Sequence, residues 1–500
     1  MAIHSNGKKA LVIGAGIAGL AMAIRLRALG FEVHVYEANT HTGGKIAELQ
    51  SKGYRFDAGP SLFTMPHLVE ELFWISGKSS KPFEYKKLDE VCRYFYSDGT
   101  RFTAPSDKNQ LAAVLAETLG EDPEAIRSYL ERSQMKFETV GKLFLERSLR
   151  KISTFFNNRA LQAYLNLPRL GLMQSLHLYN QSLFRNPKTV QLFDRYATYN
   201  GSDPYQTPAI MSMIPHLELG TGAYFPENGM YQIARSVEDL AREIGVTFHL
   251  GKPVSRILND SKRGAYGIKH QGEIIESDVV VSAVDVSLTY EKLLGKPELG
   301  RRYLNLPRSS SAVIFYWGIR KTFPELGLHN VFFSDDYRAE FKALFKTKTL
   351  PEDPTLYLNI SCKERSEDAP LNCENWFVMV NAPSNEGQPW HEWVPMLRKT
   401  VFQRLSKETN QDLESLIDTE FILDPVSLEA RTGSVGGALY GSNSNGRFAA
   451  FLRHANYRSA IPHLYFCGGT VHPGGGIPLA LQSAAIAAEY VKGNELKIVF

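Results

Sequence analysis

Five hundred residues with 43% hydrophobic content allow two or more domains with large cores, and no apolar run approaches the ~20 uncharged residues of a membrane-spanning helix. A net charge of +3 argues neither for nor against a polyanionic partner, but the chain carries neither an RNA-binding aromatic motif nor a recognition helix, so no nucleic-acid partner is expected. Cys92, Cys362, Cys373 and Cys467 lack the paired spacing of a metal or redox site, which points to reduced thiols in a cytoplasmic protein and to no metal.

The chain opens on a short apolar strand over residues 10–13, followed by Gly14-Ala15-Gly16-Ile17-Ala18-Gly19 and a helix rich in Ala, Leu and Ile. Gly14 permits a tight turn, Gly16 lets backbone N–H groups approach a pyrophosphate, and Gly19 lets the helix pack closely on the strand. The N-terminus of that helix favours a doubly charged phosphate pair. Gly30 ends the helix, and residues 31–37 alternate as a second strand. Glu37 closes it 23 residues after Gly14, where a carboxylate accepts ribose hydroxyls. Lys8 and Lys9 ahead of this apolar stretch imitate a signal peptide. The dinucleotide spacing of the glycines and the lack of an evident cleavage site argue against secretion.

Gly43-Gly44-Lys45 comes next, where a basic residue and bare backbone are placed to meet phosphates or a flavin. Phe56-Asp57-Ala58-Gly59-Pro60-Ser61 is a second compact turn. Residues 1–75 thus read as the first part of a nucleotide domain. Residues 76–221 read as mainly helical, with weak strands at 91–96 and 101–103. Residues 135–185 hold eight Lys/Arg and only two acids, Glu138 and Glu146. Among them lie Phe137, Leu143, Phe144, Leu149, Ile152, Phe155, Phe156, Leu161, Tyr164, Leu165 and Leu167. Such a segment suits an anionic membrane surface, and it equally suits core-facing helices with a solvated basic face.

Nucleotide-domain character returns over 222–300, with a helix at 230–244, strands at 246–250 and 254–258, and a continuous apolar strand at 278–283. Residues 301–454 alternate strands (311–317, 376–380) with helices (393–409), an α+β substrate domain inserted into a discontinuous nucleotide domain. Residues 455–500 rejoin the latter. There a strand at 464–467 feeds Gly468-Gly469-Thr470 and Gly474-Gly475-Gly476-Ile477-Pro478, with Pro in the first turn of a last helix. The two chain ends read as halves of one site, long and enclosed, which suits a permanently held flavin more than a shuttling nicotinamide. The last helix start, aimed at a flavin pyrimidine, stabilises charge on the reduced ring.

These residues resemble the bacterial-type carotenoid (phytoene) desaturases within the wider flavin amine-oxidase-like group. The resemblance spans nearly the whole chain. It rests on Gly14–Gly19, Phe56–Ser61, the tract from Arg195 through Tyr196, Tyr199, Gly201 and Pro204 to Tyr205, Phe225-Pro226-Glu227-Asn228-Gly229, and the block from Gly468 to Pro478. It implies FAD contacts at Glu37, Lys45, Gly59, Pro60 and the backbone of Val254. Lys45 departs from the Arg of many relatives, keeping the charge but losing bidentate phosphate contact. The tract 434–445 is similar to that of 3,4-desaturases of 1-hydroxylated carotenoids. Phytoene desaturation to lycopene, a related carotenoid isomerase or oxidase, an amine or porphyrinogen oxidase, and a non-catalytic isoprenoid-binding protein remain alternatives. The expected architecture is α/β: a discontinuous Rossmann-like FAD domain of glutathione-reductase type, an inserted α+β substrate domain, and a helical region facing a membrane.

Desaturation removes two hydrogens, and the flavin rather than any side chain accepts the hydride. The protein's tasks are positioning and a dry, apolar passage for a polyene. His472, in the glycine block, is the first candidate proton acceptor. Asp194 and Arg195 are the second. The terminal electron acceptor, oxygen or a quinone, stays open. A cytoplasmic protein held peripherally at the inner face of the cell membrane is the expected setting.

Overall fold

The computed structural model describes residues 6–151, 154, 156, 170–447 and 449–496. Five parallel strands build the first sheet in the order Leu464–Phe466, Val279–Ser282, Lys9–Ile13, Glu32–Tyr36, Thr247–His249. Its central strands are unbroken apolar runs because both faces are covered. Ala10, Val12, Val33, Val35, Val279 and Val281 point into a core shared with the helices Ile17–Ala28, Tyr231–Glu243 and Ile477–Glu495. Leu11, Ile13, Val280 and Leu464 point the other way, onto an antiparallel meander of Arg256–Asp260, Gly264–His270 and Glu273–Glu276.

This topology brings the chain ends together. Only the Val279–Ser282 strand separates the first strand from Leu464–Phe466. The turns that follow these strands therefore open at one edge of the sheet, beyond the carboxyl ends of the strands, where open α/β sheets bind ligands.

A second sheet has seven strands, in the order Ile417–Leu423, Ser311–Ile319, Glu374–Ala382, Leu356–Ile360, His329–Phe332, Glu90–Phe95, Arg101–Pro105. Its pairs are antiparallel except for His329–Phe332 against Glu90–Phe95. Side chains alternate across it. Val313, Phe315, Trp317, Leu356, Leu358, Trp376, Val378 and Val380 share one apolar core with the helix Trp390–Thr409. Trp317 stacks on Phe402 there with ring centroids 4.2 Å apart. Ile314, Tyr316 and Phe377 take the other face, packing with Phe56 and Ala58 of the second glycine turn.

Asp107 and Asp122 cap the helices Lys108–Leu119 and Pro123–Lys136 by accepting first-turn N–H groups, which offsets part of the unmet hydrogen bonding at each helix start. The basic segment is less exposed than its pattern suggests. Phe137, Leu143 and Phe144 are buried, and so is Lys136. The Lys136 ammonium donates to the Ser212 hydroxyl at 2.8 Å and to the Ala209 carbonyl at 3.3 Å, over the Tyr179 ring. Phe156 is exposed. Ile152, Phe155, Leu161, Tyr164, Leu165 and Leu167 lie outside the described residues. Among the described residues no helix is long and apolar enough to cross a membrane.

Candidate active site

In the first glycine turn the fold itself forbids a side chain at Gly14 and Gly19. Gly14 has φ +98°, and its N–H donates to the Tyr36 carbonyl at 2.8 Å. A Cβ on Gly19 would sit 2.0 Å from the Gly14 carbonyl oxygen, so the helix packs on the turn only because that carbon is missing. Gly16 caps the Ile17–Ala28 helix with no side-chain hydrogen bond and no acid in the first turn. A Cβ there would meet only the Gly44 Cα, at 3.9 Å. Bare backbone and unclaimed helix N–H groups face open space, an arrangement that fits a pyrophosphate.

Gly43, Gly44 and Lys45 are held against this turn. The Gly43 N–H donates to the Ala15 carbonyl at 2.9 Å, and Gly44 has φ +61°. Glu37 is buried. Its Oε2 accepts the Ala15 N–H at 2.7 Å, and its Oε1 accepts the Asn39 backbone N–H at 2.9 Å. Lys45 donates through Nζ to the carbonyls of Ala438 and Leu439, at 3.1 and 2.7 Å. Burial pushes its ammonium down to about 8, against the pull of Asp285. A Cβ on Gly59 would lie 2.1 Å from the Lys45 carbonyl, so the Gly59-Pro60-Ser61 turn packs directly on the Gly43-Gly44-Lys45 turn. Val254 lies half-buried against the cluster of Ile13 and Tyr36.

The C-terminal block meets the first turn across one strand. Ala283 lies within 3.5 Å of built Cβ positions on both Gly14 and Gly468, and the Cys467 thiol reaches the Ala18 carbonyl at 3.7 Å. Gly468 donates its N–H to Ser483, and Thr470 accepts the Val286 N–H. Gly469 and Gly475 face each other, with 3.4 Å from a built Cβ to the opposing Cα. Gly476, at φ +102°, caps Ile477–Glu495 with no side-chain hydrogen bond. Asp285 completes the edge, and among the described residues its buried Oδ2 has no hydrogen bond, with Arg308 Nη1 at 3.8 Å. A two-sided glycine cradle with two uncapped helix starts and an unmet polar atom fits an extended dinucleotide.

His472 does not stand free. Its Nε2 donates to the Arg147 carbonyl at 2.9 Å, Phe144 meets its ring edge-on, and burial pushes it down to about 4. The geometry gives it the work of pinning residue 147 to the turn. Asp194 accepts from His177 and from Asn180, at 2.7 and 2.8 Å, and burial raises its carboxyl above the usual range. Arg195 pairs with buried Glu218 at 3.2 Å, and Tyr94, Tyr196 and Tyr199 complete the group.

Three tracts singled out in the sequence converge here. Ser444 donates its N–H to Ser202, and Asn445 accepts the Asp203 N–H at 2.7 Å. A Cβ on Gly475 would touch Tyr440 at 2.8 Å, and one on Gly441 would touch Thr470 at 2.6 Å. The tract 434–445 is therefore wedged between Lys45, the C-terminal block and the 195–205 tract. Gly229 has its own reason: a Cβ there would collide with Arg55, which is ion-paired to Glu48, Asp57 and Asp368.

Several residues of the site carried no motif. Arg453 is buried and donates to the carbonyls of Tyr440, Ser442 and Gly469, and burial pushes it down to about 10. His329, Tyr357 and Asn359 sit on the sheet face beside Ser61. Strand alternation was the only available signal for them. Among the described residues no cluster of His, Cys, Asp or Glu is suited to a metal ion.

An uncapped glycine cradle spanning both chain ends defines a flavoprotein fold, and residues 17–492 match the family of flavin-containing amine oxidoreductases. The chain is 48% identical over 484 residues to a 1-hydroxycarotenoid 3,4-desaturase of Flavobacterium sp., covering 97% of this chain and 99% of the relative. It is 30% identical over 498 residues to a 4,4'-diaponeurosporene oxygenase of Staphylococcus aureus, covering 98% and 99%. The chain belongs to the flavin-containing amine oxidoreductases, in their carotenoid desaturase branch. It is an oxidoreductase whose cofactor is FAD. The structure of a cyclohexylamine oxidase from Brevibacterium oxydans shares the fold, with a TM-score of 0.62 at 16% identity over 98% of this chain and 99% of that one.

Proposed function

We propose that this enzyme introduces the 3,4 double bond into an acyclic carotenoid that carries a hydroxyl at C1. The relative at 48% identity carries that activity in its name. The observation that carries the reading is the wedge of 434–445 against Lys45 and Thr470, because this tract then borders both the cofactor cradle and the substrate side. We further propose the division into an FAD domain (1–75, 222–300, 455–500) and a substrate domain (76–221, 301–454).

Bound FAD supplies the hydride acceptor that no side chain provides. Gly14, Ala15, Gly16, Ile17, Ala18 and Gly19 would hold its pyrophosphate, and Glu37 would accept from its ribose. Gly43, Gly44, Lys45, Gly59, Pro60, Ser61 and the backbone of Val254 would contact it as well. Gly468, Gly469, Thr470, Gly475, Gly476 and Ile477 would hold it from the C-terminal side of the cradle. The buried aromatic face of the second sheet excludes water from the polyene. His472 orients its turn and is not assigned the proton.

A water-insoluble substrate calls for delivery at a membrane surface. Exposed Phe156, in a segment with eight Lys/Arg and two acids over 135–185, supports that placement.

Expression in cells that accumulate single carotenoids tests the reading. A loss of two hydrogens from the 1-hydroxylated compound is the expected result, read by absorbance and mass. Conversion of phytoene to lycopene instead would overturn the substrate assignment.

A further inference from the structure

The face of the second sheet that carries Tyr316 and Phe377 also holds a donor that the described residues leave unused. His329 is 4% exposed, and among the described residues its Nε2 has no hydrogen-bond partner. Its other nitrogen is fully engaged. Tyr357 Oη lies 2.7 Å from Nδ1, and Asn359 Nδ2 donates to the same atom at 3.2 Å. An accepting Nδ1 puts the ring proton on Nε2. Burial and the nearby Arg195 cation keep the ring neutral, well below its ordinary range, at about 3. Nε2–H is therefore a buried donor awaiting an oxygen, and native structures rarely leave such a group unmet.

Its place in the fold says which oxygen. Tyr357 Oη also lies 2.7 Å from Ser61 Oγ, so His329 is two hydrogen bonds away from the Gly59-Pro60-Ser61 turn. The same face carries Tyr94, whose hydroxyl is taken by Arg195, and Phe377 and Ile314, which are apolar. In a 1-hydroxylated carotenoid the oxygen is three single bonds from C3 and so lies within about 4 Å of it. Whatever reads that hydroxyl must stand beside the bond being oxidised.

We propose that His329 Nε2–H donates to the C1 hydroxyl oxygen of the substrate and sets the preference for a hydroxylated end, with Tyr357 as the residue that positions the ring. This rests on the substrate reading above. A site built around such a bond discriminates against a substrate lacking the hydroxyl more sharply than a pocket discriminates against a missing methylene.

The test uses the holoenzyme in liposomes with 1-hydroxy-1,2-dihydrolycopene and 1,2-dihydrolycopene, which differ by one oxygen. The quantity read is the ratio of their kcat/KM values. The ratio should fall by at least about tenfold in His329→Phe, with turnover of the deoxy compound kept. His329→Gln, which retains a donor, should recover part of it, and Tyr357→Phe should lose part. Those two variants decide the matter if His329→Phe does not fold. An unchanged ratio, or equal losses on both compounds with FAD retained, overturns the proposal. Weakened FAD binding in a titration of apo His329→Phe overturns it as well, since the unused donor then serves the cofactor. If the wild-type enzyme oxidises neither compound, the substrate reading itself fails, and that outcome is distinct from an active enzyme with no dependence on His329.

Discussion

Glu37 Oε2 accepts the backbone N–H of Ala15 at 2.7 Å, so the carboxylate that ends the second strand is fastened to the turn that ends the first. Its other oxygen holds Asn39. The side chain is thereby fixed at the mouth of the cradle without any cation beside it in that hydrogen-bond set, which suits a group meant to accept from sugar hydroxyls.

Glu37→Ala removes a charge-assisted hydrogen bond to the ribose and loosens the turn at Ala15. FAD affinity should drop by roughly 1.5–3 kcal/mol, about one to two decades. Glu37→Gln keeps an acceptor for Ala15 and should fall between. Titration of the apo variants with FAD measures this, and equal affinity for wild type and Ala variant would show that the ribose lies elsewhere.

Much of the cradle was legible in the sequence because its constraints are steric and local. Gly14, Gly19 and Gly59 stand where a Cβ would collide or φ is positive, and such demands leave the same residue type at fixed spacing. The Val279–Ser282 strand showed as an unbroken apolar run because helices and meander cover both its faces. The strands Gly264–His270 and Glu273–Glu276 left no comparable trace, since exposed Glu273, Ile274 and Lys269 blur their alternation. His329 and Tyr357 were invisible for another reason. Their partners Ser61 and Asn359 come from distant or alternate positions, so only the sheet register assembles them. Lys136 was invisible too, as a lysine in a basic tract gives no sign that its ammonium is buried on Ser212.

The Arg195–Glu218 pair makes a test of buried electrostatics. Arg195→Met strands Glu218, whose carboxyl burial already raises, and breaking such a pair costs roughly 3–5 kcal/mol. Without the arginine, the folded protein holds Glu218 protonated to higher pH than the unfolded chain does. Because burial already holds Glu218 above the unfolded carboxylate range in the wild type and losing the arginine raises it further, the loss is small at and below that range, ~4.3, and grows as pH rises above it. Arg195→Met with Glu218→Leu should recover much of the melting temperature at pH 8. A double variant no better than the single one would show that the pair is not the source of the loss.

Membrane association should depend on charge. With Phe156 exposed in a segment, 135–185, that holds eight Lys/Arg and two acids, flotation with vesicles should need anionic lipid and should weaken as salt rises, because head-group attraction is screened over about 8 Å at physiological ionic strength. Equal flotation with neutral and anionic vesicles at low salt would reject the electrostatic component.

Lys136 supplies the last prediction. Burial, helped by the Arg132 cation, pushes its ammonium down to about 7, while an unfolded chain keeps lysine protonated to about 10.4. Between those values the unfolded state binds one more proton than the folded state, so this residue makes stability rise with pH across that window. Below pH 7 both states are charged and the burial penalty is constant and complete; near pH 10 both approach neutrality and it fades. Lys136→Met fills the same space with no charge to desolvate, and Ser212 retains the Ala209 carbonyl as its acceptor at 2.8 Å. The two hydrogen bonds and the Tyr179 contact that the ammonium makes set how large the gain is, but they do not alter its slope. The variant's melting temperature should therefore exceed the wild type's by most at pH 6–7 and by progressively less toward pH 10. A difference that stays constant over that range would mean that the lysine titrates as it does in water, with its ammonium reaching solvent.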